Sequence, residues 1–67
     1  MKVAVYQRLG NALRYRNALA KAWPELTFHI DTAILVGQFN GYVIAVYRDG
    51  FRIALAGKRG KFREKGN

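Results

Sequence analysis

Hydrophobic positions recur with two different periods along this chain. Residues 33–39, 42–48 and 51–56 are three runs rich in β-branched and aromatic side chains, separated by Asn40-Gly41 and Asp49-Gly50. Asn-Gly and Asp-Gly tolerate positive φ at both central positions, as the tight turns of β-hairpins require. The pattern therefore predicts three antiparallel strands. A two-residue turn fixes register, so the faces follow. Leu35, Phe39, Tyr42, Ile44, Val46, Phe51, Ile53 and Leu55 fall on one face, the expected core. Ile34, Val36, Gln38, Val43, Ala45, Tyr47, Arg52, Ala54 and Ala56 fall on the other, where only Arg52 is charged. A fully solvated face would carry more charge.

Residues 26–31 alternate in the same way, with Leu26, Phe28 and Ile30 against Thr27, His29 and Asp31. A turn at Asp31-Thr32 would put Phe28 and Ile30 on the core face of the next strand. Upstream, residues 8–22 change to the helical period. Leu9, Ala12, Leu13, Leu19, Ala20 and Trp23 form one stripe, with Arg16 at its edge. Pro24 disfavours helix at the residue before it, which ends this helix near Ala22 or Trp23. Residues 2–6 read as a short edge strand. Together these elements predict an α+β fold of two layers: one N-terminal helix on an antiparallel meander of four strands, or five with the N-terminal one. Leu9, Leu13, Leu19 and Trp23 would cross the sheet. Residues 1–56 form one domain, and residues 57–67 form a basic, glycine-rich, flexible tail.

Charge changes the picture from fold to partner. Twelve Lys and Arg against four Asp and Glu give a net +8 over 67 residues. Residues 1–21 hold Lys2, Arg8, Arg14, Arg16 and Lys21 with no acid, whereas residues 22–47 hold Glu25 and Asp31 with no Lys or Arg. Beyond them, Arg48, Arg52, Lys58, Arg59, Lys61, Arg63 and Lys65 outnumber Asp49 and Glu64. Solubility alone does not need so one-sided an excess, which favours a polyanionic partner. The absence of cysteine removes disulfides and thiolate metal ligands and fits a reducing compartment. No apolar run reaches signal-peptide or membrane-spanning length, so the expected location is the cytoplasm.

Catalytic chemistry is thinly represented. With one histidine and no cysteine, no metal site or cofactor is expected. There is no serine, and Gly57-Lys58-Arg59-Gly60 lacks the length of a phosphate loop. His29 with Asp31, or Tyr47 opposite Arg52, would be the only material for a small ribonuclease. A nucleic-acid interface fits the composition better. Arg8, Arg14, Lys21, Arg48 and Arg52 on the domain, with Lys58, Arg59, Lys61, Phe62, Arg63 and Lys65 in the tail, supply phosphate contacts and an aromatic for stacking. No helix-turn-helix, zinc-finger or RNA-binding signature is present, so base-specific reading is not expected. The alternative is a protein-binding inhibitor or regulator of the kind found in phages and mobile elements. It would dock the same basic surface, or the second sheet face with Val36, Val43 and Tyr47, on an acidic patch of a larger complex. That second face also suits a homodimer.

Overall fold

A computed structural model describes residues 3–58. Its elements run in the order α1 (Leu9–Ala22), β1 (Thr27–Thr32), a short 3-10 helix (Ala33–Val36), β2 (Tyr42–Arg48) and β3 (Phe51–Leu55). The sheet is antiparallel with the order β1-β2-β3, and α1 packs on one of its faces. The α+β class and the two layers are as the sequence predicts. The strand count is not: among the described residues there are three strands, where four or five were expected.

The missing strand is residues 33–39. Ala33–Val36 forms the 3-10 helix, closed by Gly37 at φ 80°, whose N–H donates to the Ile34 carbonyl at 2.9 Å. β1 runs straight through Asp31 and Thr32 without a turn and pairs with β2 itself, Phe28 opposite Val46 and Ile30 opposite Ile44. The reason is alternation. Leu26, Phe28 and Ile30 present one apolar face, whereas Ile34-Leu35-Val36 is apolar on both sides and cannot match a half-buried register. Leu35 and Phe39, expected in the core, are exposed, and the small Ala33 is buried in their place.

The Asp49-Gly50 hairpin forms as expected. Both central residues take positive φ, 53° and 84°, and Arg48 lies opposite Phe51. Two residues further, a β-bulge alters the register: Tyr47 faces Arg52, but Val46 faces Ala54. Ile53 is the extra residue. The bulge rotates the end of β3, so Ala54 and Ala56 pack on the core side with Ile53, while Leu55 faces Ala45. An uninterrupted ladder would have put Leu55 there instead. Phe51, also expected inside, is 76% exposed at the hairpin tip.

The N-terminal segment contributes two isolated bridges in place of the expected strand: Val3 with Gly57, and Tyr6 with Tyr42. The Tyr6 N–H donates to the Tyr42 carbonyl at 2.8 Å, and the Tyr42 N–H returns the bond at 2.7 Å. Ala4 N–H donates to the Ala56 carbonyl at 3.1 Å. The segment thus bonds to the start of β2 and to Ala56 and Gly57 just past the end of β3, and Gly57 is buried.

The core is Leu26, Phe28, Ile44, Val46 and Ala56, with Tyr6, Tyr15, Leu19 and Ala20 against it. Helix α1 approaches through Ala12, its one buried residue, and through Tyr15, whose ring lies 5.3 Å from that of Tyr6. Leu9, Leu13 and Trp23, expected to cross the sheet, remain about two-fifths exposed or more (46%, 39% and 43%). The stripe is rotated from its expected centre because the N-terminal segment supplies an aromatic for Tyr15 to pack on. Arg16 sits half-buried beside this face, with a guanidinium N–H donating to Asn17 Oδ1.

The start of α1 is poorly built for stability. Arg8 is the N-cap, in extended conformation (φ −113°, ψ 132°), with no side-chain cap and no acid in the first turn. A cation there opposes the helix dipole and leaves amide donors unsatisfied. Arg8→Asp is expected to stabilise the fold by about 1 kcal/mol and to raise the melting temperature by roughly 4–8 °C. Thermal unfolding followed by circular dichroism checks this, and an unchanged or lower midpoint would contradict it.

Candidate nucleic-acid interface

The outward face of α1 follows from helical geometry. With Ala12, Tyr15 and Leu19 turned to the core, Arg14, Asn17, Ala18 and Lys21 point away, and all four are exposed. Arg14 and Lys21 lie two turns apart on one line, about 10 Å along the axis. The Arg14 guanidinium carbon stands 5.9 Å from the Tyr15 ring centroid, which steadies that side chain on the surface. Lys21 occupies the last turn, where a cation favours the helix dipole. No acid occurs before Glu25, so this surface is positive without local compensation. Among the described residues no ion pair engages Arg8, Arg14, Lys21, Arg52 or Lys58.

The remaining predicted cations are dispersed. Arg52 is exposed on the sheet face opposite the helix, beside its cross-strand neighbour Tyr47. Arg48 shares the helix-side face with Val46 and is half-buried. Lys58 borders a surface groove lined by Val3 to Tyr6, Tyr15 and Gln38. The fold therefore separates Arg52 from the Arg14–Lys21 row by the thickness of two layers. Arg59, Lys61, Phe62, Arg63 and Lys65 lie outside the described residues.

The second sheet face differs from the apolar patch expected there. Val43 and Ala45 are fully buried, Val36 belongs to the 3-10 helix, and Ala54 and Ala56 turn to the core side. What this face does present is polar. Thr27, His29, Asp31, Tyr47 and Gly50 line an open groove of about 480 Å³. The His29 and Tyr47 rings meet edge to face at 5.1 Å, and Asp31 Oδ1 accepts the Thr32 N–H at 2.8 Å. His29 and Asp31 thus share a face, as their spacing predicts. Each ring or carboxylate contact here is accounted for by neighbours within the sheet.

One exposed feature escaped the sequence reading. Phe39 is 97% exposed beyond the 3-10 helix, and Ile34 within that helix is 66% exposed. The available signal was its place beside Asn40-Gly41, which the hairpin reading used for a turn. Among the described residues no helix is long and apolar enough to cross a membrane. Comparison with known protein families, with curated proteins and with solved structures gave no match.

Proposed function

We propose that this protein is a small non-enzymatic nucleic-acid-binding module that holds phosphates on the outward row of α1 and on the basic segment at its C-terminal end. The observation that carries the reading is the uncompensated row Arg14–Asn17–Lys21, exposed on a helix without any acid. Arg8 at the N-cap supports it, since a cation there opposes the helix dipole and a bound anion would offset that repulsion. Such contacts read the backbone and not the bases, so affinity for different sequences should be similar.

Replacing Arg14 and Lys21 together by Gln tests this. Both are exposed, so the fold should be unaffected. If each neutralises one phosphate, the slope of log affinity against log salt falls by about 2. An unchanged slope and affinity would remove the helix row from the interface. The fully exposed Phe39 favours a second reading, an inhibitor or regulator that docks on a protein. On that reading Phe39→Ala weakens capture of one protein partner, while nucleic-acid binding is weak in the unaltered chain.

A further inference from the structure

The groove beside α1 touches both sets of cations. Val3 to Tyr6, Tyr15, Gln38 and Lys58 line about 380 Å³. Arg14, in the helix row, stands 5.9 Å from the Tyr15 ring centroid. Lys58 is exposed and opens the basic run that continues Arg59-Gly60-Lys61. Among the described residues that line the groove, none is acidic. The groove on the far sheet face differs: Asp31 lines it, and among the described residues no Lys or Arg does. A polyanion therefore suits the first groove and not the second.

The lining is also aromatic. The Tyr6 and Tyr15 rings lie 5.3 Å apart with 30° between their planes, and both residues are half-buried. Such a pair offers a π surface against which a base can lie. Gln38 is exposed. Its amide carries donors and an acceptor, which can meet the Watson–Crick edge of any base. Backbone bonds set the walls of the groove. Tyr6 and Tyr42 exchange bonds of 2.8 and 2.7 Å, Ala4 N–H donates to the Ala56 carbonyl at 3.1 Å, and Gln38 N–H donates to the Ala33 carbonyl at 3.0 Å. A preformed groove of this volume is in the range of small-molecule sites.

We propose that this groove takes one unpaired base of a single-stranded nucleic acid, laid against the Tyr6–Tyr15 pair, while Arg14 and Lys58 hold phosphates of the same strand. The inference rests on the phosphate-binding reading and names its substrate class. In a duplex a base is stacked on its neighbours and its Watson–Crick edge is occupied, so it does not enter the groove. The ring contact of Arg14 keeps its guanidinium beside the groove, within reach of a phosphate adjoining the bound base. Stacking needs only a π face, and one Gln amide meets any base edge. The groove thus selects strandedness and not sequence.

Fluorescence anisotropy of the full chain with labelled strands, across a salt series, tests it. The probes are a single strand, DNA in one arm and RNA in the other, and an abasic single strand with the same number of phosphates. The base-bearing strand should bind about tenfold tighter or more at an unchanged salt slope, because phosphates set the slope and stacking does not. The arm with the larger advantage identifies the sugar. Tyr15→Leu keeps apolar bulk but removes the π face. It should lose most of that advantage while the abasic strand binds as before. Gln38→Ala should reduce the advantage by about threefold, and it is decisive if Tyr15→Leu does not fold by circular dichroism. Lys58→Gln should weaken both strands alike and lower each slope by about 0.7. Equal affinity for base-bearing and abasic strands, with a steep slope for both, overturns the groove and leaves the phosphate reading standing. An advantage that Gln38→Ala does not move also overturns it. Failure to bind any strand overturns both.

Discussion

Phe28→Ala is expected to remove most or all of the fold's stability, whereas Phe39→Ala and Phe51→Ala should each change it by less than about 0.5 kcal/mol. Phe28 is 3% exposed in the core cluster, and Phe39 and Phe51 are 97% and 76% exposed. Truncating a buried phenylalanine costs about 3–5 kcal/mol through lost burial and the cavity left behind. A chain of 67 residues has a total stability of roughly 3–10 kcal/mol. The variant therefore stands at or near its unfolding threshold. Urea unfolding followed by circular dichroism measures all three changes. The comparison is a test of register. Had residues 33–39 formed the strand beside β2, Phe39 would be a core residue, and its truncation would rival that of Phe28.

Gly41→Ala is expected to be the next most damaging single change. Gly41 has φ 108°, where a residue with a side chain is strained. A Cβ there would lie 2.7 Å from Val5 Cγ1 and 3.1 Å from the Tyr6 carbonyl oxygen. The valine methyl can move. The carbonyl is less free, because it accepts the Tyr42 N–H at 2.7 Å. Strain of about 1–3 kcal/mol in the backbone thus adds to damage of the bridge that fastens the N-terminal segment to the sheet. Gly50→Ala isolates the first contribution, since Gly50 also has positive φ, 84°, but nothing within 4 Å of the added atom. Thermal melts should order the variants as Gly41→Ala below Gly50→Ala below the unaltered chain. Equal losses at both glycines would mean that the close approach to Tyr6 contributes nothing.

What was legible in the sequence was local. The helix was bounded to within a residue because its period and Pro24 act within a few positions. The Asp49-Gly50 hairpin was legible for the same reason, both residues taking the positive φ that their types favour. What was hidden depended on distant partners. Ile34-Leu35-Val36 has strand propensity, but the side of β2 it would occupy is taken by β1, whose alternation fits better. Asn40-Gly41 looks like a hairpin turn, yet its glycine is used for close approach to Val5 and Tyr6. The bulge at Ile53 leaves no mark in the sequence and exchanges Leu55 for Ala54 and Ala56 on the core side.

The candidate interface shows the same division. Arg14, Asn17 and Lys21 share an outward face because helical spacing alone puts them there. The register of the Asp49-Gly50 hairpin puts Arg52 on the face away from the core, and the fold keeps it there, on the surface opposite the helix. The apolar patch expected on the second face failed through the same long-range choices. Val36 left the sheet, and Val43 became buried.

The central claim is that the protein binds a polyanion through phosphate contacts. The most direct measurement is the affinity of the full chain for labelled DNA and RNA, single- and double-stranded, across a salt series. The expected result is micromolar or tighter binding near physiological salt, falling linearly in log–log coordinates with a slope of about −0.9 for each phosphate neutralised on duplex DNA and about −0.7 on single strands. Binding that is weak at low salt, or that does not change as salt rises, would contradict it.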